Sequence, residues 1–123
     1  MQPRNADQPL RVVIVDDHPI SRCAYGALLR SEAVDVVAEF ATREVTAEIL
    51  SALRPDVVVV DARPGIGAGP KVAGCAASSG CAAVLTSSAR LSSFGSALDG
   101  FPFIAKADIC RAALAEVIAR ADG

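Results

Sequence analysis

The chain has 123 residues, a formal net charge of −2 and 21% charged residues. This length supports one hydrophobic core rather than two, and the absence of any lysine–arginine cluster argues against a nucleic-acid surface. No apolar run is long enough to span a bilayer, and the polar start MQPRNADQPL indicates neither a secretory signal nor a membrane anchor. We therefore predict a disordered tail over residues 1–9 and one cytoplasmic domain over residues 10–123.

The first half of the chain alternates between strand-like and helix-like segments. RVVIV (11–15) predicts a first strand, and Pro19 is a favoured first residue for the helix that follows. The predicted inward face of this helix consists of Ile20, Cys23, Ala24, Ala27 and Leu28. VDVVAEF (34–40) predicts the second strand. Tyr25 and Phe40 are interpreted as ordinary packing residues.

A second helix and a strand of valines come next. Thr42 is the expected N-cap of the helix, and Pro55 closes it. Between them, one apolar face is formed by Val45, Ile49 and Leu53. Residues 57–60 are four consecutive valines, a pattern typical of a parallel strand buried on both faces. Asp61 therefore lies at the carboxyl end of a central strand.

The following segments are less regular. A glycine-rich loop after Asp61 leads into a short third helix, predicted over residues 71–78, and CAAVLTS (81–87) predicts the fourth strand. Residues 89–100 have apolar side chains at helical spacing, but the serines and glycines there make a poor helix former. FPFIAK (101–106) predicts the fifth strand.

The chain ends in its clearest helical pattern. Asp108 is the predicted N-cap of a helix over residues 109–123. Its inward face is expected to consist of Ile109, Ala113, Leu114, Val117 and Ile118. Five β–α units joined by right-handed connections predict an α/β fold, a flavodoxin-like, doubly wound five-stranded parallel sheet of strand order 2-1-3-4-5.

Acidic residues follow two strands that this order makes neighbours. Asp16 and Asp17 come directly after the first strand, and Asp61 ends the third, so the three carboxylates share one crevice. Like charges repel at short range, so either one acid holds a proton or a cation bridges the group. Mg²⁺ fits best, because it prefers oxygen ligands and works with one or two carboxylates plus waters and phosphate.

Two further polar residues end the remaining strands. Thr86 ends the fourth strand, and Lys106 ends the fifth, at the same edge of the sheet. Acids, a hydroxyl and an ammonium around Mg²⁺ suit phosphoryl transfer. Metal and lysine neutralise charge on the phosphoryl oxygens, the hydroxyl donates to one of them, and a carboxylate attacks in line.

The ordered set VDDHP, VVVVDARPG, VLTS and FIAK resembles the receiver domains of bacterial two-component response regulators, over nearly the whole chain after the tail. DDHP is most similar to the NarL/FixJ subfamily, whose members usually add a C-terminal LuxR-type helix-turn-helix. The resemblance implies a phosphoacceptor rather than a metabolic enzyme. A sensor histidine kinase would phosphorylate Asp61, and transcription regulation and DNA binding would belong to an effector domain not in this chain. A homodimer is left open.

The resemblance also implies how the site binds metal and phosphate. Asp17, Asp61 and the backbone carbonyl of Arg63 would hold Mg²⁺, and Asp16 would support it through water. Lys106 would pair with Asp61 and then with the phosphoryl oxygens.

A switch and its tuning residues follow from the same resemblance. Thr86 would turn toward the phosphoryl group, and Phe103 would follow it inward, altering an output surface. Ser87 is small and would leave the phosphoryl group accessible. Arg63 and Ser88 occupy the positions at which the family tunes the lifetime of the acyl phosphate.

The sequence departs from the family in its spacing. The family has a loop proline four residues after the phospho-acceptor, whereas Pro64 follows Asp61 by three. The chain is also shorter between Asp61 and Thr86, and slightly shorter between Thr86 and Lys106. We therefore expect shortened third and fourth helices.

Two other functions of this fold fit the sequence less well. A flavin-binding enzyme would need a phosphate loop where Asp16 and Asp17 repel phosphate, and a haloacid-dehalogenase-type phosphatase needs an acid where Arg63 stands. The remaining alternative is an atypical receiver-like module that dimerises or binds a partner without depending on phosphorylation.

The four cysteines complete the candidates, at Cys23, Cys75, Cys81 and Cys110. They form no CxxC pair, and His18 is the only histidine, so the sequence disfavours zinc. We interpret them as reduced cytosolic thiols that pack as small hydrophobic side chains, with a Cys75–Cys81 redox pair as the alternative.

Overall fold

A computed structural model of the chain describes residues 9–98 and 100–122. Residues 1–8 of the predicted tail, and Gly123 at the predicted end of the last helix, lie outside the described residues. Within the described part, five strands form one sheet: β1 Arg11–Val15, β2 Asp35–Phe40, β3 Val57–Asp61, β4 Ala82–Ser87 and β5 Phe103–Ala105. The strand order is β2-β1-β3-β4-β5 and every neighbouring pair is parallel, which confirms the predicted sheet.

Helices connect the strands on both sides of this sheet. The α-helices among the described residues are α1 Pro19–Ser31, α2 Ala47–Leu53, α3 Ala68–Ser78 and α4 Arg111–Asp122. Short 3₁₀ helices occupy Thr42–Glu44, Leu91–Phe94 and Lys106–Asp108. Over residues 9–98 and 100–122, no helix combines the length and the apolar composition needed to cross a membrane.

The central strands alternate their side chains between two buried clusters. The cluster on the face covered by α2 and α3, here the α2/α3 face, takes Val13, Val15, Val58, Val60 and Leu85 from the strands. The cluster on the face covered by α1 and α4, here the α1/α4 face, takes Val12, Ile14, Val57, Val59 and Val84. Successive strand residues point to opposite faces, so the valine run is buried on both sides, as its composition predicted.

Helix α1 buries a different face from the predicted one. Its buried residues are Tyr25, Gly26 and Leu29. The residues predicted to face inward are all exposed, namely Ile20, Cys23, Ala24, Ala27 and Leu28. The helix carries apolar residues on two sides, and packing against β2 decides between them. Gly26 lies against this strand, since a Cβ atom there would be 2.7 Å from Oε2 of Glu39.

The N-cap predicted for the second helix is wrong. Helix α2 is capped by Thr46, whose Oγ1 accepts a hydrogen bond from the N–H of Ile49 at 3.2 Å. Thr42 lies one 3₁₀ turn earlier, because Val45 is extended and separates the two segments. The predicted end is confirmed: the helix stops at Leu53, two residues before the proline.

The last helix also starts differently. Helix α4 begins at Arg111, so Asp108 is not its N-cap. The carboxylate of Glu32, just after α1, accepts the N–H of Arg111 at 2.7 Å, and the thiol of Cys110 accepts the N–H of Ala113 at 3.5 Å. A residue distant in sequence therefore satisfies part of the helix start. The predicted inward face is confirmed by the burial of Ile109, Leu114 and Val117, with Ala113 and Ile118 partly buried.

The segments before and after β4 were both expected to have short helices. Among the described residues between β4 and β5, the 3₁₀ helix Leu91–Phe94 and turns take the place of the expected fourth helix, in agreement with the glycine and serine content there. Helix α3 has 11 residues and begins three residues before the predicted start. Gly69 permits this early start, because a Cβ atom there would lie 3.1 Å from Cβ of Ala62 and 3.2 Å from the Asp61 carbonyl oxygen.

Candidate functional site

Strand alternation brings three predicted site residues to one face at the carboxyl edge of the sheet. Asp61 ends β3 and pairs with Thr86 of β4. Each lies two residues beyond a valine of the α1/α4 face, and Asp16 lies two residues beyond Ile14 of the same face. Because side chains repeat every second residue along a strand, all three point toward the α1/α4 face.

Lys106 provides the positive charge at this edge. Its Nζ lies 3.5 Å from Oδ1 of Asp61 and 3.9 Å from Oδ2 of Asp16. The Asp16 side chain is 1% exposed, and its Oδ2 has no hydrogen-bond partner among the described residues. Its Oδ1 accepts the backbone N–H of His18 at 2.9 Å. The lysine therefore lies between two largely buried carboxylates.

The neighbouring charges change the acidity of Asp61. Burial raises the pKa of the Asp61 carboxyl above its ordinary value, and the Asp16 carboxylate raises it further. Lys106 and, to a smaller extent, Arg63 lower the pKa and offset part of this rise. The site thus contains two acids in competition for one ammonium group.

Asp17 lies apart from that pair and is held by Thr42. The backbone N–H of Thr42 donates to Oδ1 of Asp17 at 2.7 Å, and the Thr42 hydroxyl lies 3.0 Å from both carboxylate oxygens. Thr42 was predicted to cap a helix, whereas the structure gives it a contact with a predicted site residue. The end of β1 and the β2–α2 connection are adjacent in space, and no local sequence pattern predicts this contact.

A small open cleft lies between Asp17 and Asp61. The other residues that line the cleft are Thr42, Arg63, Ile66, Ala68 and Gly69. Asp16 does not line the cleft. Over the described residues, no three acidic, histidine or cysteine side chains lie close enough together to bind one metal ion. Two carboxylates on one cleft nevertheless fit Mg²⁺, which commonly takes one or two carboxylates and completes its shell with water and phosphate oxygens.

The loop after Asp61 is a tight turn. Arg63 and Ile66 form an isolated antiparallel bridge, and the Arg63 carbonyl accepts the Ile66 N–H at 3.1 Å. Gly65 has φ +77°, a conformation that favours glycine. The carbonyl predicted to bind Mg²⁺ thus already accepts one hydrogen bond, which leaves its second lone pair for a cation. The Arg63 side chain is exposed.

Tyr25 is the residue that sequence reasoning missed. Its ring lies on the α1/α4 face under Lys106, whose Nζ is 5.1 Å from the ring centroid. Burial raises the pKa of its hydroxyl, the nearby Thr86 hydroxyl lowers it, and Asp61 and Asp16 raise it. A lone aromatic residue on a helix is usually core. The available clue was that a buried tyrosine hydroxyl normally needs a polar partner, and this is the only tyrosine in the chain.

The remaining predicted residues lie around the site. Phe103 pairs with Leu85 and packs on the α2/α3 face, where its ring centroid is 6.1 Å from that of Phe94. Thr86 is therefore on the opposite face of the sheet from Phe103. Ser87 is buried, its hydroxyl accepts the N–H of residue 89 at 3.1 Å, and Ser88 is exposed.

The cysteines form no disulfide within the described residues and are all free. Cys23 is exposed and the other three are partly buried. Burial raises the pKa of the Cys81 thiol, and Cys75 raises it further, which disfavours the reactive thiolate. Cys75 and Cys81 pack against the α2/α3 face as predicted, whereas the exposed Cys23 does not.

No protein-family model and no curated protein matches the sequence. Solved structures do match. The chain is 24% identical to the signal receiver domain of a modulated diguanylate cyclase from Desulfovibrio desulfuricans G20, with a TM-score of 0.70 over 93% of this chain and 94% of that one. It is 29% identical to the signal receiver domain of the putative response regulator NarL from Mycobacterium tuberculosis, with a TM-score of 0.64 and the same coverage.

A third match is a larger protein. The chain is 21% identical to RcsB from Salmonella enterica serovar Typhimurium, solved with promoter rprA and the phosphomimetic BeF3⁻. The TM-score is 0.61, and the match covers 94% of this chain but 61% of that one. Together with the strand order, these similarities show that the chain has the flavodoxin-like fold of response-regulator receiver domains.

Proposed function

We propose that the chain is a phosphoacceptor receiver domain in which Asp61 takes a phosphoryl group from a sensor histidine kinase. One observation carries the proposal: the Asp61 carboxylate lies 3.5 Å from Lys106, on the same sheet face as Thr86, and lines a cleft with Asp17. A nucleophile, a cation, a hydroxyl and a second carboxylate thus converge at the strand ends, where α/β sheets bind ligands.

The chemistry follows from these residues. A carboxylate oxygen of Asp61 attacks the phosphorus of the kinase phosphohistidine, the P–N bond breaks, and the imidazole leaves with the electron pair and takes a proton. The product is an acyl phosphate. Lys106 transfers its interaction from the carboxylate to the phosphoryl oxygens, and the Thr86 hydroxyl donates to one of them. Arg63, which lines the cleft, and Ser88, two residues after Thr86, would modulate the access of water.

Asp17 and Asp61, with the Arg63 carbonyl, are the residues that would hold Mg²⁺, and Asp16 supports them through water. Bound there, Mg²⁺ would neutralise the charge on the phosphoryl oxygens. Thr42 keeps the Asp17 carboxylate on the cleft through two donors. The resemblance to NarL/FixJ receivers extends the proposal to a cytoplasmic transcription regulator, whose DNA contacts belong to an effector domain outside this chain.

Phosphodonor labelling tests the proposal. Intact mass is measured after incubation with Mg²⁺ and acetyl phosphate for the native chain, for Asp61→Asn, and for Asp35→Asn as a control. Asp35 is an exposed carboxylate at the start of β2, at the opposite edge of the sheet. We expect one added phosphoryl group in the native chain and in Asp35→Asn, and none in Asp61→Asn. Equal labelling of Asp61→Asn would refute the assignment.

A second function is favoured by one observation. The region between β4 and β5 is a 3₁₀ helix and turns rather than an α-helix. Such a surface fits a receiver-like module that dimerises or binds a partner without phosphate. A folded native chain that gains no phosphoryl group would support this alternative.

A further inference from the structure

Two buried hydroxyl groups on the α1/α4 face of the site are unpaired in the described part of the chain. Oη of Tyr25 and Oγ1 of Thr86 each have no hydrogen-bond partner among residues 9–98 and 100–122. Thr86 is 1% exposed and Tyr25 is 7% exposed, so bulk water does not solvate these atoms. Burial raises the pKa of Tyr25, and the Thr86 hydroxyl lowers it. A buried hydroxyl without a partner is costly, and a hydrogen bond between these two would satisfy both.

The tyrosine ring is held in place more firmly than its hydroxyl. The ring belongs to the buried cluster of the α1/α4 face, together with Leu29 and Val84. Lys106 lies over it at cation–π distance, 5.1 Å from the ring centroid. With the ring fixed, the Thr86 side chain and the two hydroxyl protons are the parts that adjust.

The aromatic residue expected to accompany Thr86 is placed elsewhere. Phe103 packs on the α2/α3 face and has no hydroxyl group. Thr86 pairs with Ile104 across β4 and β5, so both point toward the α1/α4 face, where Tyr25 is. The aromatic hydroxyl on the same face as Thr86 is therefore on helix α1.

We propose that Tyr25 is a positioning residue for Thr86. In the unphosphorylated protein the two hydroxyls form a hydrogen bond that holds Thr86 against α1. This bond breaks when Thr86 turns toward a phosphoryl group on Asp61, a step that rests on the proposed function. Tyr25 therefore opposes the phosphorylated arrangement, and helix α1 responds to the state of the site.

Binding of beryllofluoride with Mg²⁺, measured by isothermal titration calorimetry, tests the direction of this effect. Tyr25→Phe removes the hydroxyl and keeps the ring under Lys106. We expect it to tighten beryllofluoride binding about fivefold, the worth of one ordinary hydrogen bond. A residue needed only for packing would weaken binding when altered. In a Thr86→Val background, Tyr25→Phe is expected to have no effect on the affinity.

Ser79→Ala is the matched control. It removes a partly buried hydroxyl that donates to the Cys75 carbonyl at 2.9 Å, at the end of α3 and the opposite edge of the sheet. We expect its beryllofluoride affinity to equal that of the native chain. Unchanged or weaker binding by Tyr25→Phe would overturn the inference.

A second measurement separates this inference from the proposed function. Urea unfolding without beryllofluoride is measured for the native chain, Tyr25→Phe, Thr86→Val and the double variant. We expect the unfolding equilibrium constants to deviate from independence by about fivefold, since the two changes remove one shared hydrogen bond. Independent effects would overturn the inference, whatever beryllofluoride does. A folded native chain that shows this coupling but does not bind beryllofluoride would overturn the phosphoacceptor proposal instead.

Discussion

Replacing Lys106 with methionine tests whether this lysine holds the two acids together. Methionine keeps most of the side-chain length and removes the charge. The change leaves Asp16 buried with Oδ2 facing no cation at 3.9 Å, and it leaves Asp61 without the ammonium at 3.5 Å. Both carboxylates are then buried without a neighbouring positive charge, so we expect the folded state to lose stability.

The size of the loss follows from the distances and the exposure. At an effective dielectric constant of about 20, unit charges at these separations attract by about 4–5 kcal/mol per pair before desolvation is subtracted. Removing one partner of a buried ion pair costs about 3–5 kcal/mol. Lys106 is 28% exposed, so water weakens both pairs, and we expect a loss of about 2–3 kcal/mol in the free energy of unfolding. The melting temperature then falls by roughly 10 °C.

Urea unfolding at pH 7 measures this loss. Lys71→Met is the control, since Lys71 is exposed on α3 and its removal is expected to change stability by no more than about 0.5 kcal/mol. Adding Asp16→Asn to Lys106→Met removes one of the two uncompensated charges and is expected to recover part of the loss. A cost below about 0.5 kcal/mol for Lys106→Met, matching the control, would show that the ion pairs do not stabilise the site.

Three further outcomes are expected. Because the pKa of Asp61 is raised in the folded protein, its ionisation opposes folding, and native stability declines as the pH rises from 3.8 through the raised value. Asp61→Asn is expected to lose this decline and to be at least as stable as the native chain at pH 7 in urea unfolding; lower stability would contradict the direction of the pKa change. Thr42→Val removes the hydroxyl that holds Asp17 and is expected to weaken Mg²⁺ binding by calorimetry about tenfold, whereas unchanged affinity would place Asp17 outside the metal site. Gly69→Ala forces a Cβ atom against the end of β3 and is expected to lower the free energy of unfolding by about 1–3 kcal/mol in thermal unfolding. Gly74→Ala, with open space on the same helix, is expected to stabilise the folded protein. Equal effects of the two changes would contradict the close approach of Gly69 to β3.

The sheet and the residues at its edge could be predicted because they depend on short-range patterns. Four consecutive β-branched residues define a strand buried on both faces, and the parallel order places all carboxyl ends at one edge. Once Asp61 and Thr86 are at strand ends, the alternation of side chains along each strand places both on the same face of the sheet. The pairing of Asp61 with Thr86 and the approach of Lys106 follow from topology and need no knowledge of loop conformation.

The features that could not be predicted depend on contacts between distant segments. The inward face of α1 is decided by packing against β2, since the helix has apolar residues on two sides. The start of α4 is satisfied by Glu32, which lies 79 residues before Arg111. Thr42 donates to Asp17 rather than capping a helix, because the β2–α2 connection passes the end of β1. In each case, a tertiary partner replaced the local partner that the pattern indicated.

The charge balance of the site explains why its parts depend on one another. Asp16 and Asp61 share the ammonium group of Lys106, while Asp17 accepts its hydrogen bonds, within the described part of the chain, from the uncharged donors of Thr42. A phosphoryl group on Asp61 adds negative charge where carboxylates already exceed nearby cations, so Lys106 alone does not balance it. The uncompensated negative charge lies at the cleft lined by Asp17 and Asp61, where a divalent cation fits. Labelling of Asp61 should therefore require Mg²⁺ even in a protein whose Lys106 pairs are intact.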